Sequence, residues 1–243
     1  MNNVDYLLHG CEAKYIMTNI QAVLMNMSWI RKIHVIVTPE IEHMTPLLGN
    51  IIDMSRKIRL VHISDFVPSE YLGSFKNSCV VESWVWRING LSDKFVYACN
   101  DMFVNKPTSI NHFFVGNHPI VRMDTGPADY SACDTDKLLN HPIPYAQMFG
   151  NAIVNHGIHY TRLSHNMQPF RKSLLKKYFE EYRSVVMEAS NNTERSGKLD
   201  FNLLRIGSSL SIMKGDALAR VGTEDFFCES NDPMCIQSLI NTL

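Results

Sequence analysis

Lys94-Phe95-Val96-Tyr97-Ala98-Cys99-Asn100-Asp101 is the stretch that decides the fold. An apolar, partly β-branched and aromatic run of strand length leads straight into a carboxylate, which reads as a buried strand ending in a turn. Two similar runs lie upstream. Lys32-Ile33-His34-Val35-Ile36-Val37 is stopped by Thr38-Pro39, and Ile58-Arg59-Leu60-Val61-His62-Ile63 is broken by Asp65 to Pro68. Helical patterns alternate with these strands. Glu12 to Met27 places Ile16, Ile20, Val23, Leu24 and Met27 on one face, and Ser78 to Trp86 is closed by Gly90. Helix and strand alternating at short spacing predict an α/β fold, with a mixed or mostly parallel sheet flanked by helices. Ligands of such sheets bind beyond the carboxyl ends of the strands. Asp101 therefore stands where a side chain can hold a divalent cation or polarise an attacking hydroxyl.

Thr108 to Pro144 is richer in Gly, Pro, Asn and Asp and predicts loop and short strand. Beyond it the pattern turns helical. Ser173 to Met187 sets Leu174, Leu175, Tyr178, Phe179 and Tyr182 against a face of Lys176, Lys177, Glu180 and Glu181. Ser190 to Lys198 is a polar break, and Phe201 to Met213 resumes an apolar helical pattern that Gly215 ends. One domain over residues 1–243 is expected, with an α/β part to residue 160 and a mainly helical part, 161–243, completing the site.

The bulk numbers narrow the function. With 23 Lys and Arg against 24 Asp and Glu, the net charge of −1 offers no field for a nucleic-acid backbone. The six cysteines lie far apart without CxxC pairs, as reduced thiols do rather than a disulfide framework or a zinc site. The first residues show no basic region before an apolar stretch, and no apolar run is long enough to span a bilayer. The expectation is a cytoplasmic protein, with peripheral association at the inner face of a membrane left open.

Three further clusters carry chemistry-bearing side chains. Ser164 to Lys172 sets His165, Arg171 and Lys172 before the strongest helix, where unpaired N–H groups favour phosphate. Arg195 with Asp200 sits in the polar break, and Asn231-Asp232 lies near the C-terminus. Singly, each also reads as a cap or turn residue. Trp84, Trp86, Phe103, Phe113 and Phe114 read as core more than as a platform for sugar rings.

In their joint order these segments resemble the Stealth family of hexose-1-phosphate transferases. That family includes bacterial capsule phosphotransferases and the catalytic part of the lysosomal-enzyme N-acetylglucosamine phosphotransferase. Its second conserved region is matched by Trp29 to Val37, Asn77 to Glu82, Ile88 to Ser92 and Phe95 to Phe103. Its third is matched by His165 to Ser173 and, more loosely, Arg195-Ser196 with Asp200, and its fourth by Cys228 to Asp232. The chain departs from the family at its start, where Val4-Asp5-Tyr6-Leu7-Leu8-His9-Gly10 lacks the Trp. It departs again at Asn100, which replaces the first Asp of an Asn-Asp-Asp turn.

The resemblance implies a nucleotide-sugar-transferase-like fold and a phosphotransferase. Such an enzyme moves a hexose-1-phosphate unit from a nucleotide-diphosphate sugar, often a uridine one, to an oligosaccharide or other glycan hydroxyl. The setting would be capsule or cell-surface polysaccharide synthesis, with Mg²⁺ or Mn²⁺. It assigns Asp101, His165, Arg195 and Asp232 to catalysis, with Asp101 and Asp232 on the metal. Asn77, Ser78, Glu82, Asn100, Arg171, Lys172 and Asn231 become substrate contacts. A conventional nucleotide-sugar glycosyltransferase and a weakened carbohydrate-binding relative are the alternatives.

Overall fold

Ile33-His34-Val35-Ile36-Val37 is buried along its whole length, as a strand with helices on both faces must be. The computed structural model of the protein describes residues 3–10, 13–44, 46, 56–99, 101–123, 128–129, 159–160, 166–193, 201–221 and 227–229. Its strands are β1 (Val4–His9), β2 (Ile33–Val37), β3 (Ile58–His62), β4 (Lys94–Cys99), β5 (Met102–Val104) and β6 (Phe114–Val115). They continue with β7 (His118–Met123), β8 (Ala128–Asp129), β9 (His159–Tyr160), β10 (Gln168–Arg171), β11 (Leu218–Val221) and β12 (Phe227–Glu229). The helices are α1 (Ala13–Asn26), α2 (Ser78–Trp84), α3 (Lys172–Glu181), α4 (Arg183–Ala189) and α5 (Leu203–Met213).

The main sheet has the order β10-β4-β1-β2-β3. β1 runs parallel to both β2 and β4, β2 runs parallel to β3, and β10 is antiparallel to β4. The mixed sheet expected from the alternating pattern is thus present. Its winding matters for function. From β1 the chain moves outward through β2 to β3, then crosses back to place β4 on the other side of β1. The direction reverses between β1 and β4, and such a switch point opens a crevice outside the carboxyl ends of those two strands.

Period-two alternation divides the core. Val4, Tyr6, Leu8, Val96 and Ala98 face the layer of α1, packing with Ile16, Ile20 and Val23. Leu7, Phe95 and Tyr97 face the opposite layer, where Trp84 of α2, Leu175 and Tyr178 of α3, Leu204 of α5 and Phe201 just before it cover them. Trp84, Phe103, Phe113 and Phe114 are buried, the core role expected of these rings, and Trp86 is half-buried.

Three local details differ from the sequence reading. β1 is a full strand at the centre of the sheet, although Asp5 and His9 interrupt its apolar run. The helix expected over Ser173 to Met187 is two, broken at Tyr182 (φ −116°, ψ 27°), whose ring lies beside Phe201. Gln168–Arg171, read as the approach to that helix, is the antiparallel edge strand β10. Gly215 does end α5 in the left-handed conformation, with φ 74°.

Candidate active site

β1 ends in His9 and β4 in Cys99, and the two residues are paired in register, with Asp101 two positions further on. The turn that carries half-buried Asp101 is clamped from α1. The Asn19 amide donates to the carbonyls of Cys99, at 3.4 Å, and Met102. Its own oxygen accepts the Tyr6 hydroxyl at 2.8 Å. Tyr6 and Asn19 are both fully buried, and burial pushes the Tyr6 hydroxyl far above its ordinary value, so it stays a donor. Sequence reading missed both residues, because an Asn inside a helix and a Tyr inside a strand carry no motif.

A second network lies on the other face of the same strand ends. Tyr97 donates to one oxygen of Glu82 at 2.7 Å, and the Asn202 amide donates to the other. Asn202 caps α5, its side-chain oxygen accepting the Arg205 N–H at 3.1 Å. Ser83 adds a parallel tie, accepting the Leu203 N–H at 3.0 Å, while its hydroxyl lies 2.8 Å from the Cys79 carbonyl and 3.1 Å from that of Phe201. Through Glu82 and Ser83, α2 therefore fixes β4 and the start of α5 together. Burial, then Cys99 and Glu82, drive the Tyr97 hydroxyl well above its usual value, so Tyr97 keeps its proton. His9 Nδ1 lies 3.3 Å from the same hydroxyl. The Cys99 thiol is pushed up to about 12, first by burial and then by Glu82 and Asp101, with Arg205 opposing. A thiol so protonated is no nucleophile. Half-buried Arg205 is within electrostatic reach of it, a cation at the strand ends that the sequence reading did not single out.

On the far side of β1 the carboxyl ends of β2 and β3 form a groove of about 240 Å³, lined by Val37, Thr38, Pro39, His62, Ile63 and Phe75 among others. Thr38 Oγ1 is buried there without a hydrogen-bond partner among the described residues.

The expected site residues divide. Asp101 and Glu82 lie at this end of the sheet, but Glu82 is 4% exposed and its oxygens face Tyr97 and Asn202. It holds the scaffold instead of contacting substrate. Asn77 is likewise corrected. Fully buried, it caps α2 by accepting the Cys79 N–H at 3.1 Å and donates to the Asn192 carbonyl at 3.2 Å. Ser78, the first residue of α2, is half-buried. Arg171 and Lys172 are at the wrong end. Arg171 pairs in register with Lys94, at the opposite end of the six-residue strand and roughly 17 Å from Cys99. Its guanidinium bonds Asp93 at 2.9 Å, and Lys172 donates to the Ile88 carbonyl at 2.7 Å. His165, Arg195, Asp232, Asn100 and Asn231 lie outside the described residues.

Asp5 also belongs to the far end. Arg31 donates to it at 2.6 and 2.9 Å, His34 Nε2 lies 3.1 Å away, and the Ser92 N–H donates at 2.7 Å. Burial opposes its charge, but these contacts outweigh it and hold the carboxyl below its usual value.

A reversing parallel sheet, a carboxylate beyond β4 and a groove beyond β2 and β3 define an open α/β architecture with a crevice at its carboxyl edge, and comparison with known proteins gives its relatives. The Stealth protein CR2 profile, conserved region 2, matches residues 11–121. The capsular polysaccharide phosphotransferase LcbA of Aeromonas hydrophila is 28% identical over 196 residues, 79% of this chain and 50% of that protein. The capsular polysaccharide phosphotransferase fcs1 of Haemophilus influenzae is 27% identical over 215 residues, 83% of this chain and 53% of that protein. The family match and these relatives support a likeness to the Stealth family, and the chain spans about half the length of these curated relatives. Among solved structures it is similar to the galactosyltransferase LgtC, solved with donor and acceptor sugar analogues. The TM-score is 0.53 at 9% identity, over 97% of this chain and 95% of that one, a likeness of fold alone. No helix among the described residues is long and apolar enough to cross a membrane.

Proposed function

We propose that the protein transfers a hexose-1-phosphate unit from a nucleotide-diphosphate sugar to a glycan hydroxyl in capsule or exopolysaccharide synthesis. One observation carries the reading: three chain segments are anchored around the carboxyl end of β4. β10 starts with Gln168 opposite Tyr97, three residues after His165. β12 runs antiparallel to β5 and ends with Glu229 opposite Met102, three residues before Asp232. Asn202, seven residues after Arg195, is bonded to Glu82. Three residues reach at most roughly 10 Å, so His165 and Asp232 have short tethers to the strand end that bears Asp101.

In this reading the nucleoside, a uridine by the family's habit, occupies the groove beyond β2 and β3, and the diphosphate crosses β1 toward Asp101. Arg195 and Arg205 balance its charge, and His165 contacts phosphate or carries the acceptor's proton. Among the described residues no three His, Cys, Asp or Glu side chains cluster as a metal site. That donor set still fits Mg²⁺ or Mn²⁺, because Mg²⁺ retains water and takes substrate oxygens beside one or two carboxylates. Asp101 and Asp232 would hold it, and it would neutralise charge on the departing nucleotide. The residues' own part is in-line positioning: the acceptor oxygen bonds to phosphorus as the bond to the nucleoside monophosphate breaks. All 243 residues act as one catalytic unit at the cytoplasmic side of the membrane.

The test is to incubate the protein with Mg²⁺, uridine-diphosphate sugars and an oligosaccharide acceptor, and to identify the nucleotide released. Monophosphate with a phosphodiester product is expected, and Asp101→Asn should lower its rate by about 10²-fold or more. Release of diphosphate would make the protein an ordinary glycosyltransferase and overturn the reading.

A further inference from the structure

A net charge of −1 conceals a segregation along the sheet. Register levels three cations at the amino ends of the parallel strands. Arg171 pairs with Lys94 and Lys94 with Val4, and the Val4 carbonyl accepts the Arg31 N–H at 2.9 Å. Ile33 pairs with Ile58, so the same register carried two residues back sets Arg31 level with Arg56. Neighbouring strands are about 4.8 Å apart, which makes the row from β10 to β3 roughly 19 Å long.

Further cations widen the row on both faces of the sheet. Lys172 donates to the Ile88 carbonyl at 2.7 Å and Arg59 to the Asn89 carbonyl at 2.8 Å, in the loop from α2 to β4. Lys57 donates to the Ser28 carbonyl at 3.0 Å, just beyond α1. Carbonyls orient these groups without cancelling their charge. Among the described residues the carboxylates at this end are Asp5, fully buried against Arg31, and Asp93, bonded to Arg171. They are also the carboxylates whose fields reach Lys172. Lys172, Arg59 and the exposed Arg56 therefore leave this end positive. Glu42, Asp65 and Asp101 lie at the other end of the sheet, beside the groove and the strand ends.

Cations a strand length from Asp101, roughly 17 Å, cannot serve the donor's diphosphate. A level face that extends to both sides of a 19 Å row, roughly measured by strand spacing, fits an anionic plane better than a single ion or a thread. The attraction of an acidic lipid surface fades within a Debye length, so only cations at one level act on it together. We propose that this amino-end face docks on a bilayer of acidic phospholipid. The attachment is peripheral, since no helix among the described residues is long and apolar enough to cross a membrane. It leaves the crevice at the carboxyl end open, away from the lipid. This docking deepens the membrane placement proposed above and is independent of the transfer reaction.

Co-sedimentation of the full chain with vesicles of phosphatidylglycerol and phosphatidylcholine tests it. The protein should sediment with them at about 50 mM salt, be released at about 0.5 M, and ignore phosphatidylcholine alone. Arg56→Gln combined with Arg59→Gln should weaken binding about 25-fold, about fivefold for each cation. Arg56→Glu, which changes one exposed side chain and leaves the loop contacts in place, should weaken it more than Arg56→Gln. Both proteins should keep the wild-type transfer rate with soluble donor and acceptor. Undiminished binding by these variants, equal binding to neutral vesicles, or no binding by the folded wild type overturns the proposal. So does a protein that captures dextran sulfate and ignores the vesicles, since its face would then hold an anionic polymer. None of these results touches the transfer reading, which fails separately if no nucleoside monophosphate is released in solution.

Discussion

Replacing Glu82 with glutamine keeps the size and shape of the side chain and changes only which atoms donate. The carboxylate receives Tyr97 on one oxygen and Asn202 on the other. A glutamine amide has one oxygen and one donor group. If its oxygen faces Tyr97, its NH₂ meets the Asn202 NH₂. If the oxygen faces Asn202, the NH₂ meets the Tyr97 hydroxyl, whose hydrogen must turn toward His9 and drive the proton off Nδ1. Flipping Asn202 gives no escape, because its oxygen is held by the Arg205 N–H. The first arrangement loses a buried bond, and the second keeps the bonds but replaces a charged acceptor with a neutral one and forces the other His9 tautomer, so either costs about 2 kcal/mol. For a chain of 243 residues this lowers the melting temperature by about 4–8 °C. Thermal unfolding followed by circular dichroism measures it. A Glu82→Gln protein melting within about 1 °C of wild type would refute the claim that this network ties α2, β4 and α5.

Other consequences follow from the two ends of the sheet. Asp5→Asn should destabilise by about 2 kcal/mol in urea unfolding, a figure discounted because Arg31 is 37% exposed. With the Asp5 carboxyl held below its usual value, its contribution is complete above about pH 4, the unfolded value, and is lost as pH falls through the lower folded one. The wild-type and Asp5→Asn unfolding curves should therefore converge in acid. Arg171→Ala should leave donor binding within twofold of wild type, because its partner is Asp93 at the far end of β4. A tenfold loss in calorimetry would contradict that placement. Asn19→Leu should lower transfer rate more than donor affinity, since it releases the turn of Asp101 without touching the groove.

Patterns that report the solvent or the core were legible in the sequence. Apolar runs gave β2, β3 and β4, period 3.6 gave α1 and α5, and the position of Asp101 followed from a strand end alone. β1 was harder, because Asp5 and His9 imitate a polar segment until their partners are known, and those partners are 26 to 88 residues away. Arg171 and Lys172 show the opposite failure. Two cations before a helix look like a phosphate site, yet strand β10 reverses the chain and delivers them to the far edge. Glu82 was found but misassigned, since nothing local distinguishes a carboxylate facing a ligand from one facing Tyr97 and Asn202.

The two polar residues of β1 show how a buried strand is tied at both ends. Asp5 and His9 point to the same face, four residues apart, at opposite ends of a strand buried throughout. A central parallel strand cannot leave such groups unpaired. At the amino end Asp5 takes contacts from Arg31, His34 and Ser92, and these lock β1 to its neighbouring loops. At the carboxyl end Glu82 is equally satisfied, but the chain of bonds from it continues through Tyr97 to His9, beside the crevice where the sheet reverses direction. Asp5 thus stabilises the strand by closing its bonds at the amino end, and the network of Glu82, Tyr97 and Asn202 does the same at the carboxyl end. Substitutions at Asp5 and at Glu82 should therefore both register in unfolding. Proteins altered at both positions should show the two effects independently, because the two networks sit at opposite ends of β1, separated by roughly 13 Å of strand.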